Sequence, residues 1–308
     1  MTDKTIFVTG GAGFIGLHVI DLLLEKGYKV RIFDNMFRGD RDAVNKLVAG
    51  GNVELIDQDV RYGGAVHAAM TGCDAVIHLA AVSINKSQAD PYESMEINTI
   101  GSHNVFAAAA DHKVRRVVFA SSASVYGDPD KLPMHEDDAL KPLTPYCISK
   151  RTAEDLLAYY ERRTGLSWIA LRFFNVYGEG QKTTAYYTSV INHFVNRLRN
   201  GEPPVIDGDG QQSMDFIHVR DIARAVVLAL ECEQDCMPIN VASGIDTTIA
   251  DLARILIDAV GADVEPQFSP RKVLASRRAG DTTRAKEVLG FEASIPVREG
   301  MINLIRNS

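Results

Sequence analysis

Short apolar runs rich in Val, Ile and Phe alternate with longer helical patterns through the first half of the chain. Strands that alternate with helices in this way predict right-handed β-α-β crossovers and a parallel sheet. The predicted strands are Thr5–Thr9, Lys29–Asp34, Val53–Ile56, Ala75–Leu79, Val117–Ala120 and Ser167–Phe173. The predicted helices between them are Ile15–Lys26, Gly64–Met70, Glu93–Asp111 and Tyr146–Thr164.

The alternation weakens after about Gly178. Beyond it the predicted elements are the helices Tyr187–Asn200, Val219–Glu231, Thr247–Val260, Thr282–Leu289 and Val297–Ile305, with a short strand near Ile239–Val241. We expect one large domain over residues 1–178, to which some later segments return, and a smaller C-terminal α/β lobe over residues 179–308. A substrate cleft is expected between them.

A glycine-rich segment follows the first predicted strand and opens the first predicted helix. Gly10, Gly13 and Gly16 have a Gly-x-x-Gly-x-x-Gly spacing, which is a variant of the dinucleotide-binding fingerprint. Glycines there permit a tight turn and a close approach of the backbone to a pyrophosphate, which the helix N-terminus attracts. The segment predicts a Rossmann-type doubly wound parallel sheet that binds a dinucleotide, with Phe14 and Ile15 among the cofactor-binding residues.

Asp34 ends the second predicted strand, 18 residues beyond Gly16. A carboxylate at that place accepts hydrogen bonds from the ribose hydroxyls and repels a 2′-phosphate, which favours NAD over NADP. Arg38 is a counter-argument, because a nearby guanidinium could hold a 2′-phosphate. The alternative interpretation of Asp34 is a simple cap of the strand end.

Further strand ends are expected at the same edge of the sheet, where ligands of such folds bind. Asp59 and Val60 follow the third strand, and an acidic side chain there could reach the adenine amino group. The fourth strand ends in Leu79, Ala80 and Ala81, which are small enough for the backbone to lie along a cofactor. The alternative for the two alanines is ordinary packing of a helix on a strand.

Tyr146 and Lys150 are four residues apart on a predicted helix, so both side chains can point into one site. A phenol is a poor base because its pKa is about 10, and a neighbouring ammonium lowers that pKa. We therefore predict a proton-transfer pair. Ser122 follows the fifth strand and could hydrogen-bond the same substrate oxygen, although serines there are usually turn residues.

Eight motifs occur in an order that is typical of one family. They are Thr9–Gly16, Phe33–Asn35, His78–Ala81, Asn98 with Gly101, Ser121–Gly127, Tyr146 with Lys150, Arg172–Gly178 and Asp215–Asp221. Together they resemble the extended short-chain dehydrogenase/reductases that modify nucleotide sugars, and most of all the UDP-hexose 4-epimerases. The resemblance extends over residues 5–305.

The resemblance implies a role for each matching residue. Tyr146 would be the base and acid for the sugar 4-hydroxyl, Lys150 would lower its pKa and anchor a ribose of NAD, and Ser122 would be the hydroxyl partner. The other implied contacts are Asn35 with the cofactor, Asn98 with the active-site helix or cofactor, Asn175 with the UDP phosphates and Ser124 with the hexose. A homodimer is also implied, through a four-helix interface made by the predicted helices 93–111 and 146–164.

The residues after Ser122 help to choose among the activities of the family. Dehydratases and decarboxylases of the family place an acid within two positions of this residue, whereas Ala123 and Ser124 follow it here. This favours epimerisation, in which Tyr146 takes the O4 proton while hydride leaves C4 for a tightly bound NAD and then returns to the other face. The alternatives are another nucleotide-sugar oxidoreductase and a non-catalytic NAD-binding protein, which the retained Ser122, Tyr146 and Lys150 argue against.

Two departures from the family pattern concern the substrate. Met214 stands where the family has a phosphate-binding Arg, and the second such Arg matches Arg271 without gaps. Arg278 is a rival, because an Arg-x-Gly-Asp pattern surrounds it. These departures and the small residues of 275–280 favour UDP-GlcNAc and UDP-GalNAc as substrates, with UDP-glucose and UDP-galactose as the alternative.

Composition and charge exclude several classes of function. The net charge of −7 offers no general attraction to nucleic acid or to an anionic membrane. No stretch approaches the roughly 18 apolar residues of a membrane span, and a strand close to the N-terminus leaves no room for a signal peptide. The four cysteines have no C-x-x-C spacing, so we expect no metal site and no disulfide framework, and a cytoplasmic location.

Overall fold

The computed structural model of the protein describes residues 3–181, 190–270 and 277–306. The described strands are β1 (Thr5–Thr9), β2 (Lys29–Asp34), β3 (Val53–Asp57), β4 (Ala75–His78), β5 (Val117–Ser122), β6 (Trp168–Phe173), β7 (Asn175–Tyr177), β8 (Val205–Asp207), β9 (Ser213–Met214), β10 (Phe216–His218), β11 (Met237–Val241), β12 (Thr247–Thr248) and β13 (Gln267–Ser269).

The described α-helices are α1 (Phe14–Glu25), α2 (Arg41–Ala49), α3 (Gly63–Met70), α4 (Ile84–Ala89), α5 (Pro91–Met95), α6 (Ser102–Asp111), α7 (Pro145–Thr164), α8 (Val190–Arg199), α9 (Val219–Glu231), α10 (Ile249–Val260), α11 (Thr283–Leu289) and α12 (Val297–Arg306). A π-helical turn, Glu96–Gly101, joins α5 to α6. A short 3₁₀ turn, Ala123–Tyr126, follows β5.

Seven of these strands form one parallel sheet in the order β3-β2-β1-β4-β5-β6-β11. The order reverses between β1 and β4, which is the arrangement of a Rossmann-type doubly wound sheet and confirms the predicted fold class. The last strand comes from the C-terminal half of the chain, with Ile239 opposite Leu171 on β6. Part of that half therefore returns to the sheet.

Both faces of the sheet are covered, because its strands are apolar at successive positions. Along β1, Ile6 and Val8 join an apolar cluster with α1, α9 and α11, whereas Phe7 between them joins a cluster with α3, α6 and α7. A third apolar cluster lies among residues 177–305 and includes Tyr177, Phe194 and Met301. Its strands pair outside the main sheet, as β7 with β10, β8 with β13 and β9 with β12.

The predicted elements of the first half occur close to their predicted bounds, with one informative difference. The helix predicted over residues 93–111 is interrupted by the π-helical turn, which inserts one extra residue per turn and points Asn98 at the loop after β4. Helix α2, which begins at the cap residue Asp40, has no counterpart in the sequence prediction. The helix predicted from Tyr187 is described only from Val190 onward, because residues 187–189 lie outside the described ranges.

Candidate active site

A cavity of about 800 Å³ opens beyond the carboxyl ends of β1 and β4, where the order of the strands reverses. This is the place at which doubly wound sheets bind their ligands. Thirteen of the predicted cofactor-binding residues line it, namely Gly10, Gly13, Phe14, Ile15, Gly16, Asp34, Asn35, Arg38, Asp59, Val60, Leu79, Ala80 and Ala81. Asn98, Tyr146 and Lys150, which were predicted to contact the cofactor as well, are not part of the lining.

The glycines at the floor of the cavity are required by crowding of the backbone. Gly10 has φ of 68°, and a Cβ on it would lie 2.6 Å from the amide nitrogen of Ala80. A Cβ on Gly16 would lie 2.5 Å from the carbonyl oxygen of Gly10. Both distances are far below a van der Waals contact, so only glycine lets the first turn, α1 and the loop after β4 come together here.

Asp34 ends β2 and accepts two backbone hydrogen bonds. Its carboxylate accepts from the amide of Ala12 at 3.1 Å and from that of Met36 at 2.9 Å. Burial raises the pKa of Asp34, and the two amides offset part of the rise. The carboxylate is therefore oriented at the wall of the cavity, as a partner for a ribose hydroxyl would be.

Asp59 belongs to a charged cluster at the same wall. It accepts hydrogen bonds from Arg61 at 2.9 and 3.0 Å and from the side-chain amide of Asn35 at 2.8 Å. Burial alone would raise the pKa of Asp59, but the hydrogen bonds from Arg61 outweigh it and the pKa is lowered. Asp59 thus stays ionised and fixes Asn35, while Arg61 also approaches Glu96 at 3.6 Å.

The chemical site lies at the end of β5 and the start of α7. Ser124 donates from its hydroxyl to Ser122 Oγ at 2.9 Å and from its amide to the same oxygen at 3.2 Å. Tyr146 is half-buried near the beginning of α7, and the neighbouring Ser122 side chain acts to lower its pKa. The structure therefore brings Ser122, Ser124 and Tyr146 together, as the sequence predicts.

Lys150 lies one turn beyond Tyr146, with its side chain buried. Its ammonium donates to the carbonyl of Ala120 at 2.7 Å and lies 5.7 Å from the centre of the Tyr146 ring. Burial lowers the pKa of Lys150 to about 7, although the Glu154 carboxylate acts in the opposite direction. The lysine is thus poised to change its charge near neutral pH.

The phenol itself does not behave as the sequence argument supposes. Burial raises the pKa of Tyr146 to about 12, and among its neighbours Ser122 offsets part of this rise. Lys150 was expected to lower that pKa, but its ammonium points at a carbonyl and is itself destabilised by burial. Desolvation therefore outweighs the attraction between phenolate and ammonium at this phenol.

A buried ion pair supports the catalytic helix from behind. Glu154 on α7 binds Arg172 of β6 through two hydrogen bonds of 2.8 and 3.0 Å and accepts a third from Ser121 at 2.5 Å. Arg172 also donates to the hydroxyl of Tyr126 at 2.9 Å. Through Ser121 and Arg172, the pair links α7, which carries Tyr146 and Lys150, to β5, which ends in Ser122, and to β6.

The residues predicted to bind substrate fall in different environments. Asn175 begins β7 and donates to the carbonyl of Asp215 at 3.1 Å. Met214 packs against the third apolar cluster, so it offers no substitute for the missing Arg. Arg278 donates to the carbonyl of Gly127, directly after the 3₁₀ turn. Arg271, the preferred phosphate ligand, lies outside the described residues.

Sequence reasoning missed one part of the cavity wall, formed by Glu179 and Gly180. The carbonyl of Glu179 is hydrogen-bonded to the His18 ring at 3.0 Å. The carboxylate of Glu179 lies 3.3 Å from Nε2 of the His218 ring. A Cβ on Gly180 would be 3.8 Å from Phe14. The signal was present, because the predicted motif Arg172–Gly178 ends just before these residues.

Two other findings concern only the described part of the chain. There, no group of three His, Cys, Asp or Glu side chains is arranged to hold a metal ion. Within the same ranges, no helix has both the length and the apolar character that a membrane crossing requires. The cysteines, Cys73, Cys147, Cys232 and Cys236, are free thiols.

The fold and the cavity define a dinucleotide-binding enzyme of the Rossmann type, and comparison with known proteins identifies its family. The family model described as "NAD dependent epimerase/dehydratase family" matches residues 6–242. The UDP-glucose 4-epimerase of Mycolicibacterium smegmatis is 32% identical over 307 residues, which are 97% of this chain and 96% of that protein.

Two solved structures resemble this one over nearly their whole length. UDP-glucose 4-epimerase from Thermotoga maritima, with UDP-glucose, gives a TM-score of 0.91 at 32% identity and covers 99% of this chain and 98% of that chain. UDP-N-acetylglucosamine 4-epimerase from Methanobrevibacter ruminantium, in complex with UDP-N-acetylmuramic acid, gives 0.92 at 32% identity and covers 100% and 98%. The chain belongs to the NAD-dependent epimerase/dehydratase family, which confirms both the predicted resemblance and NAD as the cofactor.

The residues of the cavity fit this cofactor. The glycines let the first turn pack against the loop after β4, and this turn leads directly into the N-terminus of α1, which is the kind of site that attracts a pyrophosphate. Asp34, and Asp59 with Asn35, offer polar atoms along the wall of the same cavity. We propose that the pyrophosphate lies at the glycines and the adenosine at the wall formed by Asp34 and Asp59.

Gly10→Ala should impair NAD binding through crowding against Ala80. We expect affinity for NAD to fall at least about tenfold, since the added methyl must displace backbone at the cavity floor. Gly72→Ala is the matched control, because Gly72 has a similar φ of 76° but no described atom within 4 Å of its Cβ position. NAD content and the Kd of both purified variants provide the measurement, and equal affinity in the two would contradict the assignment.

Lys150→Met should remove a pH dependence of stability. In the folded protein the pKa of Lys150 is about 7, whereas unfolded lysine titrates near about 10.4. Unfolding therefore takes up a proton between pH 7 and about pH 10, so this lysine makes the wild type more stable as pH rises through that window. Urea unfolding of the NAD-free proteins should show the stability difference, wild type minus Lys150→Met, increasing from pH 7 to 10. A constant difference would refute the shifted pKa.

Proposed function

We propose that this protein is a UDP-hexose 4-epimerase that interconverts UDP-GlcNAc and UDP-GalNAc through a transient 4-keto sugar. The observation that carries the proposal is the composition of the chemical site. Ser122 lies close enough to Tyr146 to lower the pKa of its phenol, Lys150 is buried one turn further along α7, and Ala123 and Ser124 supply no carboxylate next to Ser122. Such a site can move a proton on a sugar hydroxyl, and it lacks a positioned acid for elimination.

Tyr146 is the group that takes the proton from the sugar 4-hydroxyl and later returns it. When bound, NAD would supply the acceptor for the C4 hydride and its source in the return step, so that no other redox partner is needed. Ser122 donates its hydroxyl proton to the sugar oxygen, because its own oxygen is already occupied by the amide and hydroxyl of Ser124.

The cofactor should remain bound through many cycles, because it ends each cycle in the state in which it began. Gly10, Gly13 and Gly16 hold its pyrophosphate in this proposal, and Asp34 selects NAD over NADP. Lys150 anchors a ribose. Asn98 acts from behind the wall, since its side chain bonds to both backbone groups of Val82.

The substrate side of the proposal rests more on the sequence. Asn175 and Arg271 bind the UDP phosphates and Ser124 contacts the hexose, with Arg278 as the alternative phosphate ligand. Arg278 is already held near Gly127, next to the chemical site, which keeps it a credible rival. The small residues of 275–280 favour room for an N-acetyl group. UDP-glucose and UDP-galactose are the second candidate pair.

We also propose that the protein is a cytoplasmic homodimer that serves polysaccharide biosynthesis, with residues 1–178 mainly binding NAD and 179–308 mainly binding the nucleotide sugar. Free thiols are typical of a reducing compartment. The segments named for the dimer, 93–111 and 146–164, expose large apolar side chains: Ile100 is 53% exposed and Ile148 41%. A second copy of the chain would cover them.

NMR of the purified protein with UDP-GlcNAc and, separately, UDP-glucose tests the reaction and the hexose together. Without added NAD, we expect the 4-epimer to form from UDP-GlcNAc. Tyr146→Phe should slow this by about 10²–10⁴-fold, the usual contribution of a general base. Tyr159→Phe is the matched control on the same helix, because its ring is 42% exposed, and it should keep full turnover.

Each other outcome of this experiment has a definite meaning. Conversion of UDP-glucose alone would replace the proposed substrate by the second candidate. Release of CO₂ from UDP-glucuronic acid would identify a decarboxylase. A protein that holds NAD yet converts none of these sugars, or full activity of Tyr146→Phe, would overturn the proposal.

Ile100→Asp should disrupt the dimer, because it would bury a charge in an apolar interface. Ile245→Asp is the control, with a residue of similar exposure, 56%, in the C-terminal half. Sedimentation velocity should show dimers for the wild type and the control, and monomers for Ile100→Asp. A monomeric wild type would disprove the dimer, and a dimeric Ile100→Asp would disprove this interface.

A further inference from the structure

One wall of the NAD cavity, the segment Leu79–Val82, is held in place from behind by two buried side chains. The hydroxyl of Thr9 accepts from the amide of Ala80 at 3.2 Å. Asn98 accepts from the amide of Val82 at 2.8 Å and donates to the carbonyl of that residue at 3.3 Å. The two ends of the wall therefore depend on residues that do not line the cavity and that come from β1 and the π-helical turn.

His78 joins these two holding points into one closed ring of hydrogen bonds. Its Nδ1 lies 2.6 Å from Thr9 Oγ1, and its Nε2 lies 2.9 Å from Ser102 Oγ. Ser102 in turn donates to the backbone carbonyl of Asn98 at 2.6 Å. The side chains of the ring are at most 1% exposed. Water cannot replace a partner that is lost there.

The ring allows one arrangement of protons. The Ser102 hydroxyl donates its hydrogen to the Asn98 carbonyl, so its oxygen must accept a hydrogen bond from Nε2–H of His78. Nδ1 then carries a lone pair that accepts from the Thr9 hydroxyl, which leaves the Thr9 oxygen to accept from Ala80. Burial, with a smaller contribution from Lys150, lowers the pKa of His78 to about 3. His78 is therefore neutral over the whole working range, and the ring keeps its direction.

We propose that His78 is a positioning residue for NAD: by linking Thr9 to Asn98 through Ser102, it fixes the segment Leu79–Val82 and slows the release of the cofactor. The inference rests on the cavity as the NAD site and is independent of the sugar chemistry. The proposal also explains why a histidine occupies position 78, which is fully buried and where packing alone would favour an apolar side chain. The His78 ring packs with those of Phe106 and Phe119 in an aromatic cluster, and the centre of each phenyl ring is 5.6 Å from that of His78.

His78→Phe tests the inference, because a phenyl ring suits the aromatic surroundings while both hydrogen bonds are lost. We expect NAD to leave about tenfold faster than from the wild type, since one lost buried hydrogen bond corresponds to a change of that size or more. Release is followed by displacement of bound NAD with excess labelled NAD. Thermal unfolding at saturating NAD shows whether the variant is folded. If His78 had a purely structural role, folding stability would fall and the release rate of NAD from the folded variant would be unchanged.

A second, milder pair of variants keeps the test decisive if His78→Phe does not fold. Ser102→Ala breaks the ring, whereas Ser87→Ala removes an equally buried hydroxyl that donates to the carbonyl of Ile84 and lies outside the ring. NAD release should be faster in Ser102→Ala by several-fold and unchanged in Ser87→Ala. Equal release rates from these two variants, or a wild-type rate in folded His78→Phe, would overturn the proposal. None of these measurements uses epimerase activity, so a failure of the proposed function would not be mistaken for a failure here.

Discussion

The contact on which the rest of the site depends is the one between the end of β1 and the loop after β4. These strands are neighbours at the point where the order of the sheet reverses, so the segments that follow them diverge and leave a crevice. Gly10 brings its backbone against that of Ala80, at a distance that excludes a side chain. Everything placed around the crevice, from Asp34 to the hydrogen-bond ring of His78, takes its position from this contact.

The electrostatics of the chemical site follow from burial more than from pairing. Desolvation raises the pKa of Tyr146 to about 12 and lowers that of Lys150 to about 7, so burial disfavours the charged form of both groups. Glu154 is paired with Arg172 behind them, and its carboxylate partly offsets the effect of burial on Lys150.

The sequence predicted those features that the backbone dictates. The parallel sheet, the dinucleotide cavity and the meeting of Ser122 with Tyr146 follow from strand periodicity, glycine spacing and a four-residue helical interval. Features that depend on long-range side-chain geometry could not be predicted in the same way. The π-helical turn accompanies a contact between the Asn98 side chain and Val82, 16 residues away, and the raised pKa of Tyr146 depends on how deeply several distant segments bury it.

The same distinction explains why the reaction is better defined than the hexose. The cofactor half of the crevice is built from backbone and small residues close to strand ends. There, recognising a sequence motif is almost enough to locate its residues in the fold. The sugar half would draw on side chains from β7, the 3₁₀ turn and the C-terminal segment around Arg278, which converge only in the folded chain. Met214 stands where the resemblance places an Arg, and its side chain packs against the third apolar cluster, so this half of the crevice departs from the family pattern. The motifs that carry Ser122, Tyr146 and Lys150 therefore do not specify the hexose.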